Sequence, residues 1–400
     1  MSNRLVLHNG DMVQTEDIMH EGVVVIENGT ISAVEHSHEY KPDSNDSIVD
    51  CKGYLICPGF IDLHNQGGGG FSVMDASGES INGLARMHAA HGTTGLLLTP
   101  PVARDSYRQL VPGLAKTVGS NTDGAAILGI HTEGPFINPE KAGCMPPAGI
   151  REPDGDMLEE ILDLSGGTIV EMTIAPELPG ALDLILTLAR REVVVSLGHS
   201  NATLSDVLRA IDHGASHVTH FFNAMSPIHH REPGLTGAAL YSNDLSVEII
   251  ADGYHVHPWM MGLTVQNKGV ALTCLVTDSM HISGFDNGEY ESLGLRVKLK
   301  DERLSLADDP GTLAGSVLTM DHAIGNMVNM VGLSIADAVT MASTTPAAVL
   351  GLENQKGRIE VGYDADIAVL DRTFNTVLTV VKGKIVYNKL KSETKKEEKK

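Results

Sequence analysis

The stretch Val193-Val194-Val195-Ser196-Leu197-Gly198-His199-Ser200 is followed, a short segment later, by Ala215-Ser216-His217-Val218-Thr219-His220. Each is an apolar run of strand length that halts at a histidine. Between them, residues 204–213 space their apolar side chains as an amphipathic helix does. The same rhythm extends outward in both directions. Apolar runs at 55–63, 94–99, 125–130, 169–174, 193–197, 215–218, 247–250 and 270–276 alternate with helical stretches such as 81–90, 181–190 and 258–267. Eight strands alternating with helices over about 250 residues predict an α/β fold, a (β/α)8 TIM-type barrel. A doubly wound sheet is the rival, but no Gly-x-Gly-x-x-Gly opens a helix after the first strand. The glycine run 67–70 lacks that spacing and reads as a flexible loop.

The two ends of the chain have a different style. Residues 4–8 and 22–35 read as short strands, the latter turning at Asn28-Gly29, a tight hairpin signal. Residues 366–370, 377–381 and 384–387 read as strands too, with a turn at Lys382-Gly383. The expected division is a small β-sandwich domain built from residues 1–56 and 351–390, a barrel at 57–350, and a charged tail at 391–400.

The chain has 400 residues, 42% of them hydrophobic, and a formal net charge of -22 from 29 basic and 51 acidic residues. That charge argues against nucleic acid or an anionic membrane as a partner. The cysteines Cys51, Cys57, Cys144 and Cys274 are scattered and read as reduced thiols. No apolar signal core opens the chain and no run reaches membrane-spanning length, so a cytoplasmic location is expected.

Polar residues gather where the apolar runs end. They are His64 and Gln66, Glu133, His199, His220, Asp252 and His255, and Asp278. In a barrel these positions converge on the C-terminal face, where active sites lie. Glu133, His199 and His220 supply one carboxylate and two imidazoles, a set suited to one catalytic divalent metal, zinc first, with an open position for water. Asp278 stands where it could take a proton from that water and return it to a leaving amine. The bland alternative for Asp278 is a helix N-cap. His213, His217, His229 and His230 read as structural or surface residues, and the 16 methionines as core fillers.

Five motifs, His131-Thr132-Glu133-Gly134-Pro135-Phe136, Gly198-His199-Ser200-Asn201-Ala202-Thr203, His220-Phe221-Phe222-Asn223-Ala224-Met225, Arg231-Glu232-Pro233-Gly234 and Ala251-Asp252-Gly253-Tyr254-His255, resemble those of the N-acetylglucosamine-6-phosphate deacetylases of the amidohydrolase superfamily. Pro58-Gly59-Phe60-Ile61-Asp62 and Gly362-Tyr363-Asp364-Ala365-Asp366 resemble the superfamily at large. The resemblance implies hydrolysis of the acetamide of an amino-sugar phosphate. It implies Glu133, His199 and His220 as metal ligands, Asp278 as acid/base, and His255 as a substrate contact that polarises the acetyl carbonyl. It further implies Asn223, Ala224, Arg231 and the Leu313-Ala314-Gly315 segment as substrate contacts. Arg231 would grip the phosphate and reach into a neighbouring subunit's site, which implies a homodimer.

Two departures stand out. Many amidohydrolases carry His-x-His after the first strand and bind a second metal there; this chain has His64-Asn65-Gln66, which leaves His64 as a lone candidate for that role. In the substrate-contacting segment Cys144-Met145, family members often place a histidine where Met145 stands, and methionine cannot donate a hydrogen bond. The preferred sugar epimer, glucosamine or galactosamine, therefore stays open at the level of sequence. So do another amidohydrolase reaction and an inactive, binding-only homologue. No strand-end lysine is present for the bridged two-metal variant of the first.

Overall fold

The computed structural model describes residues 4–15, 17–101 and 107–390; the expected charged tail at 391–400 lies outside them. At the centre, eight parallel strands pair in chain order. They are β1 (Phe60–Asn65), β2 (Thr93–Leu98), β3 (Ala126–Glu133), β4 (Ile169–Ile174), β5 (Val194–Leu197), β6 (Ala215–Val218), β7 (Ser246–Ile250) and β8 (Thr273–Val276). Parallel neighbours require a crossover, and helices supply it. These include α1 (Gly78–Ala89), α2 (Tyr107–Ala115), α3 (Gly155–Ser165), α4 (Ala181–Arg190), α5 (Leu204–Asp212), α6 (Gly234–Tyr241), α7 (Pro258–Lys268) and, after β8, α8 (Met320–Asn326). Strands covered on both faces need no polar side, which is why β1 and β2 are buried at every position.

Local chemistry fixes the helix ends. Thr203 caps α5 by accepting from Asp206 N, and Asp206 returns the bond in a capping box. Asp154 caps α3, and Gly166, at φ 58°, ends it in the left-handed region. On α4 the side chains of Leu184, Ile185 and Leu188 are buried against the sheet.

The end strands pair in one sheet drawn from both chain ends. Arg4–Val13, Ile18–Glu27, Thr30–His36, Asp46–Asp50 and Leu55–Pro58 join Ile367–Leu370, Thr376–Val381 and Lys384–Asn388. Buried Lys356 lies beside this sheet, its Nζ donating to Asp364 Oδ2 at 2.7 Å and to Asp366 Oδ2 at 2.6 Å. Asp321, at the start of α8, accepts from Thr376 N at 3.2 Å and Thr376 Oγ1 at 3.0 Å, tying that helix to the end sheet. Among the described residues no helix is long and apolar enough to cross a membrane.

Three expectations need correction. The run 55–63 is two strands in two sheets, because the chain bends at Pro58-Gly59. A Cβ on Gly59 would lie 2.3 Å from Thr94 side-chain atoms, so only glycine passes there. The run 270–276 begins with a 3-10 turn, and strand starts at Thr273. The glycine run is no flexible loop: Gly67–Gly68 pairs with Phe71–Ser72, and a Cβ on Gly67 would sit 2.5 Å from Phe71 O. The strand Asp46–Asp50 was not foreseen, and neither was a small sheet. Between β8 and α8, Gly288–Ser292, Leu295–Lys300 and Arg303–Leu306 form an antiparallel sheet, packed through Val297, Leu299 and Leu304 against Met280, Ile282 and Ala314.

Candidate active site

The strand ends bring the chemistry together. Glu133 Oε1 lies 3.0 Å from His199 Nε2 and 3.0 Å from His220 Nε2, and the two nitrogens are themselves 3.0 Å apart. All three residues are buried. His199 Nδ1 donates to Lys141 O at 2.7 Å, which leaves Nε2 as the lone-pair nitrogen facing the cluster. Ligands around a tetrahedral zinc stand roughly 3.3 Å apart. An array of two nitrogens and a carboxylate oxygen at nearly that spacing fits such an ion. Glu133 responds in kind. Burial pushes its carboxyl up, but His64, His199 and His220 around it hold it well below the usual range.

The backbone is bent to achieve this. His199, His220 and Asp278 have φ of 47°, 28° and 47°. Non-glycine residues in this region carry strain of order 1–3 kcal/mol each and concentrate at functional sites. Here each bend turns a strand end toward a common point. His220 N–H is held by Glu248 Oε2 at 2.9 Å, and Asp278 N–H by His64 O at 2.9 Å.

Gln66 has a role that sequence reasoning missed. Its Nε2 donates to Glu133 Oε2 at 3.1 Å and to Asp278 Oδ1 at 3.0 Å. The amide therefore bridges a candidate metal ligand and the acid/base candidate as a donor. His64 faces the same two oxygens, with Nε2 3.6 Å from Glu133 and 3.5 Å from Asp278, while its Nδ1 lies 3.1 Å from Glu248 Oε2. Burial pushes its imidazole down, yet Glu133, Asp278 and Glu248 together hold it well above its usual range. Burial pushes the Asp278 carboxyl up; the charge of His64 opposes this, and Glu133 adds to it.

The substrate candidates sort by position. Cys144, Met145, Asn223, Ala224, His255, Leu313 and Gly315 line one cavity with Gln66, Glu133, His199, His220 and Asp278. His255 Nδ1 lies 2.6 Å from Asp252 Oδ2, which fixes the ring. Asn223 Nδ2 donates to His220 O at 3.1 Å. Burial, with Asp278 and Glu133 nearby, pushes the Cys144 thiol up to about 12, so it stays a thiol at neutral pH. Two candidates are not among the lining residues. Ala314 is buried in the core beneath the three-stranded insert, and Arg231 is exposed on a turn with Nη1 2.9 Å from His230 Nε2. Ile250, Leu293 and Gly311 line the cavity unforeseen.

Residues 55–386 match the amidohydrolase family. The chain is 35% identical over 396 residues to the N-acetylglucosamine-6-phosphate deacetylase of Bacillus subtilis (strain 168), covering 97% of this chain and 98% of that protein. The chain belongs to the amidohydrolase family, among its N-acetylglucosamine-6-phosphate deacetylases. This amidohydrolase is also 34% identical to an N-acetylgalactosamine-6-phosphate deacetylase of Escherichia coli O157:H7, over 85% of this chain and 89% of that one. Its fold superposes with a TM-score of 0.89, at 31% identity, on an aspartate-to-alanine mutant of the N-acetyl-D-glucosamine-6-phosphate deacetylase of Mycobacterium smegmatis, in complex with N-acetyl-D-glucosamine-6-phosphate. The superposition covers 97% of this amidohydrolase and 100% of that chain.

Proposed function

We propose that the chain hydrolyses the acetamide of N-acetylglucosamine-6-phosphate, releasing acetate and glucosamine-6-phosphate, in amino-sugar catabolism. The observation that carries this reading is the convergence of Glu133, His199 and His220 beside Asp278, with Gln66 joining the two halves. One divalent metal, zinc first, would be held by Glu133, His199 and His220, supplying an acidified water and a Lewis acid for the acetyl carbonyl. Asp278 takes the water's proton during attack. It then hands that proton to the departing nitrogen, because an amine leaves poorly until protonated. His255, oriented by Asp252, polarises the carbonyl from the cavity wall. Gln66 keeps Asp278 in register with Glu133 throughout. Met145 and Cys144 shape the cavity by contact rather than by hydrogen bonding to the sugar.

Several finer readings belong to the same proposal. The eight parallel strands close as a barrel, supported by Asp278 N donating to His64 O and Gln66 N donating to Ser279 O. Residues 1–56 and 351–390 form a small β-sandwich domain beside a barrel at 57–350. In support, Leu5, Leu7, Val24 and Ile26 pack in one cluster while Val6, Val23 and Val25 pack in another, on the opposite faces of the same strands. The protein acts in the cytoplasm as a homodimer in which Arg231, exposed on its own chain, grips the phosphate in the neighbouring site. The galactosamine epimer is the second reading, favoured by the 34% identity to an N-acetylgalactosamine-6-phosphate deacetylase.

The experiment is amine release measured over N-acetylglucosamine-6-phosphate, its galactosamine epimer and the unphosphorylated sugars, alongside metal content. The expected result is the highest kcat/KM on N-acetylglucosamine-6-phosphate. A metal-loaded protein that releases no amine from any of them would overturn the reading and leave a binding protein.

A further inference from the structure

Beneath the candidate active site, the interior of the eight-stranded sheet holds a second polar cluster that the deacetylation chemistry does not use. It comprises Glu171 on β4, His217 on β6 and Glu248 on β7, with His131 of β3 beside them. All four are completely buried. His217 Nε2 lies 3.6 Å from Glu248 Oε1 and 4.0 Å from Glu171 Oε1, and His131 Nε2 lies 3.6 Å from Glu171 Oε1. Both oxygens of Glu171, Oε1 of Glu248 and Nε2 of His217 have no hydrogen-bond partner among the described residues. Orphaned polar atoms of this kind are rare in folded proteins, and orphaned buried carboxylates are rarer still.

The protons of the surrounding groups can be placed. Ser246 Oγ can donate to Ser216 O at 3.2 Å while accepting from His217 Nδ1 at 2.6 Å, the tautomer a bound cation requires. His217 Nε2 is then the lone-pair nitrogen, turned toward two carboxylates. His131 Nδ1 donates to Leu63 O at 3.1 Å, so its Nε2 accepts from the Thr173 hydroxyl at 2.8 Å. Thr173 accepts from Thr219 at 2.7 Å, and Thr219 from Ser196 at 2.6 Å. That direction alone puts a proton in each contact of the chain. Ser196 touches Glu171, yet its proton is committed to Thr219. Glu248 Oε2 is occupied by His64 Nδ1 and His220 N. Among the described residues the pocket is thus lined by two carboxyl groups and an imidazole lone pair, with the Cys274 thiol beside both carboxyls; burial and the charge of Glu248 push the Glu171 carboxyl well above its usual range, so a proton stands where a cation would bind.

We propose that Glu171, His217 and Glu248 form an interior site for a divalent metal cation, separate from the catalytic one. Their three ligand atoms all lie within 4.8 Å of one another. A point equidistant from atoms spaced this way is about 2.3 Å from each, a distance that first-row divalent ions and calcium both span. The imidazole nitrogen favours a first-row ion such as Zn2+ over calcium or magnesium, and the two carboxylates also suit Mn2+. One dication balances the two carboxylates and gives one orphaned atom of each of the three residues a partner. A water molecule brings two protons and no charge, which leaves half of the set unsatisfied. The role is structural. Fixing Glu248 Oε1 fixes Oε2, and with it the backbone of His220 and the ring of His64 above.

The test starts from the full-length Glu133→Ala/His199→Ala variant, in which the catalytic ligands are dismantled. After loading with Mn2+ and gel filtration, elemental analysis is expected to find about one equivalent per chain, lost when Glu171→Gln and His217→Gln are added. A double variant that retains no manganese would overturn the proposal. Crystals of the unaltered protein grown with Mn2+ provide a readout that needs no variant to fold. An anomalous peak between Glu171 and Glu248 is expected, and a peak confined to Glu133, His199 and His220 would also overturn it.

Discussion

Replacing Asp278 by asparagine isolates the proton-transfer step from the architecture around it. The side chain is buried and nearly isosteric with its replacement, and the new amide can keep its oxygen as acceptor for Gln66 Nε2, which stands 3.0 Å from Asp278 Oδ1. Backbone strain at φ 47° is tolerated at least as well, since asparagine visits the left-handed region more readily than most residues. Fold, metal ligands and cavity shape should therefore survive. What is lost is the ability to accept a proton, since an amide oxygen is far less basic than a carboxylate. Acid–base catalysis supplies a factor of about 10²–10⁴, so the barrier should rise by roughly 2.7–5.5 kcal/mol. The assay is kcat for amine release, with substrate affinity and zinc content measured on the same preparation. The expected result is a hundredfold or greater loss of kcat with both other quantities held. Near-normal turnover would refute the assignment of the proton to Asp278. Activity lost in step with the metal would make Asp278 chiefly a ligand.

Arg231→Ala should raise KM for the phosphorylated sugar by roughly 2 kcal/mol or more of lost binding, leave kcat nearly unchanged and spare the unphosphorylated sugar; equal effects on both sugars would remove Arg231 from the phosphate. Lys356→Met strands buried Asp366, with half-buried Asp364 beside it, without a cation, so urea denaturation should show a loss of about 3–5 kcal/mol, and an unchanged midpoint would mean the triad is dispensable. Burial pushes the Asp321 carboxyl up, but His91 and Thr319 overcome this and hold it below the usual range. Its contribution to stability is therefore full above about pH 4, the unfolded value, and fades as pH falls through the folded one. Compared by denaturation at several pH values, Asp321→Asn should be less stable than the parent at pH 6 and converge on it in acid; a gap that stays constant would contradict the shift.

The metal and acid/base candidates were legible because each strand of a parallel sheet delivers its last residue to the same end. A Glu or His standing at that point in several runs cannot be read as packing. Gln66 was not legible in the same way. As a sequence symbol it is a weak ligand in a ligand's place; only its two carboxylate partners reveal an amide working as a donor. The insert at 288–306 breaks the strand–helix rhythm and was passed over, although buried Val297 and Leu299 alternate there with exposed Arg296, Lys298 and Lys300 in a period of two. His217 sits inside a run rather than at its end, so nothing marked it. Its meaning depends on Glu171 and Glu248, which come from other strands.

The pairing of Leu55–Pro58 with Ile367–Leu370 has a consequence for how the chain comes into being. Their partners are more than three hundred residues apart in the sequence. At a synthesis rate of 5–20 residues per second, the early strand waits roughly 15–60 s for the late one to leave the ribosome. Through that interval Leu55 and Ile56, buried in the finished protein, belong to an open sheet edge, the kind of surface on which other chains pair. In the central sheet each strand pairs with the next to emerge, and only the proposed closure of β1 on β8, more than two hundred residues apart, has to wait. Nascent chains should therefore acquire the interior of the parallel sheet early, while the clasp between the two ends is the last part to be completed and the one most exposed to chaperones.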